Sequence, residues 1–249
     1  MKGMSDLQGK AALVTGGSRG LGAAIAVALA DEGADVAVTY VSAPEKAQAV
    51  VARIEAAGRR GLAVRADSAR AEDVIAAVER TAAELGRLDV LVNNAGIAVL
   101  GPLEEVALED VERTIAVHVR AAFVAAQAAA RHMGEGGRIV SIGSCLAERV
   151  PHGGATLYSM SKAALSGLTK GLARDLGSRG ITANLIRPGP IDTDMNPADG
   201  PHADGQRALT ALGRYGEAED IAAMVVHLAG RSGRNITGAA FAVDGGYAA

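Results

Sequence analysis

The chain has 249 residues, 49% of them hydrophobic and 21% charged, with 32 glycines and a formal net charge of −3 at pH 7. That apolar share supplies a buried core and excludes a disordered chain, while the slight acidity excludes the basic footprint of a nucleic-acid binder. A single cysteine, Cys145, excludes an internal disulfide, and no charge-free run of about 18 apolar residues is present to span a membrane.

The pattern then alternates short apolar runs with longer amphipathic ones. Residues 11–14 are compactly apolar, end at glycines and read as a strand. An alanine-rich helix is predicted over 21–30, with Gly33 as its stop. Residues 36–41 are β-branched and predict a second strand. Pro44 opens a helix that runs to Ala57, with Gly58 after it. A strand at 62–64, a helix at 74–85 and a strand at 88–92 follow. A long helix over 111–133, a strand at 139–142, a helix at 158–176 and a strand at 181–186 repeat the alternation. Residues 192–207 are rich in proline, glycine and aspartate, have no clear period, and read as a long loop over a site. A helix at 220–228 and a strand at 240–243 come last.

This order predicts an α/β fold: a Rossmann-like, doubly wound parallel sheet with helices on both faces. No linker divides it, so residues 1–249 are expected to form one dinucleotide-binding and catalytic domain, with a substrate loop at 192–214. In such sheets ligands sit at the carboxyl ends of the strands. The polar N-terminal segment lacks the apolar stretch of a signal peptide, and the expected setting is cytoplasmic. The five histidines show no ligand spacing, so no metal is expected.

The turn Thr15-Gly16-Gly17-Ser18-Arg19-Gly20-Leu21-Gly22 lies between the first strand and the first helix. Free N–H groups at a helix N-terminus, with partial positive charge, suit a pyrophosphate, and glycines let the backbone approach it. Gly16, Gly20 and Gly22 do not match the usual dinucleotide spacing. An NAD site commonly has an acid about 20 residues on, holding the ribose hydroxyls. Here Tyr40, Val41 and Ser42 end the second strand without one. Arg19 can pair with a 2′-phosphate. Both features favour NADP(H).

With these motifs, the sequence resembles the short-chain dehydrogenases/reductases over nearly its whole length. The resemblance is carried by the Thr15–Gly22 turn, Asp67-Ser68, Asn93-Asn94-Ala95-Gly96, Ser144, Tyr158-Ser159-Met160-Ser161-Lys162, Pro188-Gly189-Pro190-Ile191-Asp192-Thr193 and Asp244-Gly245-Gly246. It implies cofactor contacts from Gly16, Ser18, Arg19, Gly20, Leu21, Gly22, Tyr40 and Ser42. Asp67 and Ser68 would meet the adenine, and Asn94, Ala95 and Gly96 would line the cofactor. Pro188, Gly189, Ile191 and Thr193 would hold the nicotinamide end. Ser144, Tyr158 and Lys162 would be catalytic, the last two touching the cofactor as well.

The chemistry explains those residue types. Reducing a ketone needs hydride at carbon, which a nicotinamide supplies, and a proton at oxygen from a placed acid. Lys162 is four residues after Tyr158 and shares its helical face. Its charge is expected to favour tyrosinate by roughly 3 kcal/mol and so lower the tyrosine pKa. Ser144 can hydrogen-bond the substrate oxygen. His118 stands where many family members carry an asparagine that helps hold a relay water, so an altered relay is expected. Members acting on acyl carrier protein tend to be basic before the fifth strand, where this chain has Glu135.

The expected function is NADPH-dependent transfer of hydride between the nicotinamide and a ketone or secondary alcohol, Tyr158 being general acid/base. The expected partners are a small carbonyl or alcohol substrate and further copies of the chain, in a homotetramer or homodimer. Residues 188–194 and Asn196-Pro197 also resemble a bacterial family member associated with cyclic-di-GMP binding and biofilm dispersal. A regulatory ligand-binding protein on the same scaffold is therefore the alternative.

Overall fold

The computed structural model describes residues 6–249. Its strands are β1 (Ala11–Val14), β2 (Asp35–Tyr40), β3 (Gly61–Arg65), β4 (Val90–Asn93), β5 (Arg138–Ile142), β6 (Thr182–Pro188) and β7 (Ala240–Val243). They pair in parallel in the order β3-β2-β1-β4-β5-β6-β7. The helices are α1 (Gly20–Asp31), α2 (Pro44–Ala56), α3 (Ala71–Leu85), α4 (Leu108–Ile115), α5 (Ala121–His132), α6 (Thr156–Gly177), α7 (Ala203–Leu209) and α8 (Ala218–Ala229). None among the described residues is long and apolar enough to cross a membrane.

The sheet is buried on both faces, which is why its inner strands show no polar alternation. Ala12 and Val14 of β1 pack with Ile25 and Leu29 of α1 and with Ile221 and Val225 of α8. Ala11 and Leu13 turn to the other face, against Val78 of α3 and Ala125 and Ala129 of α5. The strand order reverses between β1 and β4, so their carboxyl ends open onto a crevice.

Two sequence expectations are corrected. The helix foreseen over 111–133 starts at Leu108 and is not uniform: residues Ala116–Arg120 form a π-turn between α4 and α5. Periodicity cannot show one extra residue in one turn, because the apolar rows resume after it. The segment 192–207 is not without structure either, because α7 begins at Ala203. Its helix is too short, and too rich in small and polar residues, to give a readable period.

At the opposite edge, buried acids tie the sheet together. Asp35 accepts from Arg59 Nη2 at 2.7 Å, Arg60 Nε at 2.8 Å and the Arg60 backbone N–H at 3.0 Å. Burial alone would raise its pKa, but the Arg60 bonds and the Arg59 charge outweigh it and hold the carboxyl below its ordinary value of 3.8. A depressed folded-state pKa adds stability above the unfolded value, and that stability is lost as pH falls through the folded one. The thermal midpoint of the protein should therefore fall with pH below about pH 4, and less steeply in Asp35→Asn. Equal slopes in a series of thermal melts would remove Asp35 from the account.

Candidate active site

The glycine turn leaves β1 at Thr15 and enters α1 at Gly20. Gly16 and Gly20 adopt left-handed φ values of 64° and 52°, which glycine reaches without steric cost. The turn is also packed too closely for side chains. A Cβ on Gly17 would lie 2.7 Å from Val38, and one on Gly22 would lie 2.4 Å from the Gly16 carbonyl oxygen and 2.5 Å from Asn94 Nδ2. Asn94 donates from Nδ2 to the carbonyls of Thr15 at 2.9 Å and Gly16 at 3.1 Å. The Thr15 hydroxyl accepts from the N–H groups of Asn94 at 3.0 Å and Ala95 at 3.1 Å. Thr39 Oγ1 accepts from Gly16 N at 2.8 Å. The carboxyl ends of β1, β2 and β4 are thus welded around one turn.

That turn fits a phosphate group. The first turn of α1 carries no acid and no side-chain cap, so its N–H groups stay available. Arg19 is exposed and makes no ion pair among the described residues. Tyr40 and Ser42 lie at the end of β2, with no acid between them, and Arg65 Nε reaches the adjacent Val41 carbonyl at 3.3 Å. Asp67 forms a local turn, its Oδ1 accepting from Ala69 N at 2.9 Å. Ser68 joins Thr15, Asn93, His118 and Lys162 around a small cavity of about 10 Å³.

Ser144, Tyr158 and Lys162 come together beside this cavity. Ser144 follows β5 and caps a short turn, its Oγ accepting from Leu146 N at 3.1 Å. Tyr158 lies in the first turn of α6, and Lys162 Nζ sits 5.9 Å from its ring centre. The ammonium is buried and donates to the Ile142 carbonyl at 2.9 Å. Burial pushes the Lys162 pKa down to about 8.

The expected lowering of the Tyr158 pKa is not what the structure shows. Burial raises it, and Ser144 beside the hydroxyl pulls it back only in part. The reason is desolvation: a phenolate loses more by leaving water than its neighbours return. Cys145, next to Ser144, is a buried thiol pushed up to about 11, mainly by burial. A protonated thiol of that kind is inert.

His118, foreseen as a departure, lies inside the π-turn and is 2% exposed. Its ring stands edge-on to Tyr158, with centroids 5.8 Å apart and planes at 84°. Burial and the Lys162 charge push its pKa down to about 3.

The segment after β6 closes the crevice. Ile191 points its side chain into the core, so it can offer a ligand only its backbone. Thr193 lies over Gly20, where a Cβ would meet its side chain at 3.6 Å. Gly189 sits against Asp244, which a Cβ would approach to 2.6 Å. Residues 192–214 are buttressed from within. Asn196 and Gln206 exchange amide bonds of 2.9 and 3.0 Å, and Arg207 lies 5.4 Å from the Tyr215 ring. Sequence reasoning gave no role to Thr15, Thr39 or Ser161. The first two hold the turn, and Ser161, although inside a motif that had been singled out, reveals its partner only in three dimensions.

Comparison with known proteins finds the same fold in relatives that cover nearly the whole chain. A family model described as Enoyl-(Acyl carrier protein) reductase matches residues 16–248. The structure of a short chain dehydrogenase from Burkholderia cenocepacia J2315 in complex with NADP superposes with a TM-score of 0.97, at 61% identity, over 98% of this chain and 100% of that one. A blue fluorescent protein from a metagenomic library, in complex with NADPH, gives 0.96 and 60% identity over 98% and 100%. A cyclic-di-GMP-binding biofilm dispersal mediator protein of Escherichia coli (strain K12) is 43% identical, over 99% of this chain and 100% of its own length.

Proposed function

Because the chain belongs to the short-chain dehydrogenase/reductase family of oxidoreductases, we propose that it is an NADPH-dependent carbonyl reductase, acting in reverse on secondary alcohols. The observation that carries this reading is the grouping of Ser144, Tyr158 and Lys162 after β5 and in α6, with Lys162 lining the same small cavity as Thr15. Residues 6–249 act as one domain, with 192–214 as the substrate loop; residues 1–5 of the expected domain lie outside the described residues.

NADP(H) is the cofactor that this site suits. The turn from Gly16 to Gly22 receives its pyrophosphate, with Ser18 and Leu21 at the entrance to α1. Arg19 pairs with the 2′-phosphate, which no acid opposes at Tyr40 or Ser42. Asp67 and Ser68 border the adenine, and Asn94, Ala95 and Gly96 border the centre of the molecule. Pro188, Gly189, Ile191 and Thr193 hold the nicotinamide end, Ile191 through its backbone. The NADP and NADPH bound by the two relatives support this choice.

When bound, the nicotinamide supplies or accepts the hydride. The protein's part is to hold the carbonyl and move one proton. Ser144 donates to the carbonyl oxygen and steadies its developing charge. The Tyr158 hydroxyl gives its proton to that oxygen as the alcohol forms. A raised pKa suits this direction, because it keeps the phenol protonated before the step. The Lys162 ammonium, buried next to Tyr158, then stabilises the phenolate left behind. Exposed Leu100, Val150, Met195 and Leu212 lie on segments that follow β4, β5 and β6, and we assign to them a substrate with an apolar flank.

The subunits assemble as a homotetramer, or as the dimer within it. Ile115 and Phe123 on α4 and α5, and Met160 on α6, are exposed apolar side chains on neighbouring helices. Light scattering at micromolar concentration should give an oligomeric mass, and a monomer would end this part of the proposal.

Two substitutions test the chemistry. Tyr158→Phe should keep the fold and NADPH binding and lower ketone turnover by about 10²–10⁴-fold. Near-normal turnover in a folded, NADPH-binding variant would reject the mechanism. A regulatory binder of the kind named for the Escherichia coli relative would keep its ligand binding in the same variant. NADPH should bind at least about tenfold tighter than NADH, equivalent to 1.4 kcal/mol, and Arg19→Ala should erase most of that difference. Equal affinities in the unaltered protein would overturn the cofactor assignment.

A further inference from the structure

We propose that His118 is a positioning residue that locks the strand-end loop after β4 to helix α6, and that it is not a proton carrier. The inference rests on the reductase reading for its kinetic consequence but on geometry for the lock itself. Ile97 N–H donates to His118 Nε2 at 3.0 Å. A backbone N–H can only donate, so Nε2 holds a lone pair and the proton of the neutral ring lies on Nδ1. Nδ1–H then donates to Ser161 Oγ at 2.8 Å, and the single Ser161 hydroxyl proton goes to the Tyr158 carbonyl at 2.7 Å. Only one set of proton positions satisfies the whole chain of bonds.

Those bonds join three pieces of backbone. The π-turn carries the ring, Ile97 belongs to the loop that leaves β4, and Ser161 lies beside Lys162 in α6. Gly96 lets the loop lie on the ring, since a Cβ there would come 3.2 Å from Nε2. The Tyr158 ring meets the same imidazole edge-on. The lock therefore acts on the first two turns of α6 from inside, at the residues that carry Tyr158 and Lys162. A second proton on the ring would have to enter a dry site beside the Lys162 ammonium, with Ile97 N–H pointing at it, so the imidazole stays neutral.

The test uses the full-length protein with NADPH and an accepted ketone. Ser161→Ala and His118→Ala should each lower kcat by about tenfold to a hundredfold, the scale of a small misplacement of reacting groups. NADPH affinity and KM should change little. The double variant should match the slower single variant to within about twofold, because both changes cut one linkage. His118→Gln, which keeps an acceptor and a donor but cannot carry a proton at neutral pH, should recover most of kcat.

Glutamine as slow as alanine, or additive losses in the double variant, would overturn the proposal. So would variants that lose thermal stability but keep kcat. An arm independent of turnover is NMR of the labelled imidazole nitrogens. His118 should show one protonated and one bare nitrogen, unchanged from about pH 5 to 8, and titration in that range would refute the lock. If His118→Ala does not fold, Ser161→Ala and His118→Gln carry the test. A failure of the reductase reading is visible separately, as undiminished turnover in Tyr158→Phe.

Discussion

The amide of Asn94 lies between two carbonyls of the glycine turn, and the rest of the crevice depends on that contact. It spans the place where the strand order reverses, just beyond the last sheet hydrogen bond between β1 and β4, from Thr15 N to the Val92 carbonyl at 3.0 Å. With Nδ2 on Thr15 and Gly16, and the Thr15 hydroxyl taking two N–H groups in return, the ends of β1 and β4 become one rigid surface. Gly22 is the condition for this, since any side chain there would occupy the place of the amide. Two glycines with left-handed backbone then aim the free N-terminus of α1 into the crevice. A turn built this way needs no conformational change to form, and its cost is met by the folding of the sheet.

The polar groups near Tyr158 share one physical situation. Lys162 and His118 are nearly dry, and burial disfavours charge on each. Lys162 donates to a carbonyl, while burial and the Lys162 charge keep His118 neutral, both of its ring nitrogens being partnered. Such groups weaken a core unless every donor and acceptor is matched. Here the match is itself the means by which loop, π-turn and helix are held in register. A π-turn at this point turns one residue inward without ending the helix, in keeping with where such turns are commonly found.

The segment after β6 works differently. It leaves the sheet at Pro188, packs Ile191 into the core, and then returns through α7 to Tyr215, which is also buried. Its internal amide pair and the Arg207–Tyr215 contact give it a shape of its own. The C-terminal turn meets it from the other side, where the Gly245 carbonyl accepts from Leu212 N at 3.0 Å, and the Tyr247 carbonyl accepts from Arg149 at 2.7 Å.

Much of this was legible in the sequence by itself. Alternating apolar and amphipathic runs determine a doubly wound sheet, because only strands covered on both sides lack polar alternation. The glycine turn, the missing acid after β2 and the four-residue spacing of Tyr158 and Lys162 are local features, and local geometry follows from spacing. What only the tertiary structure decided depends on distant residues meeting. The sign of the Tyr158 shift is one case, since burial is a property of the packed molecule and a helical neighbour's charge is not the larger effect. The π-turn, the helix within residues 192–207, and the bonds from His118 to Ile97 and Ser161 are others. Residues 21 and 43 positions away in the chain become partners of one ring, because the sheet brings the end of β4 against α6, and no periodicity along the chain records that approach.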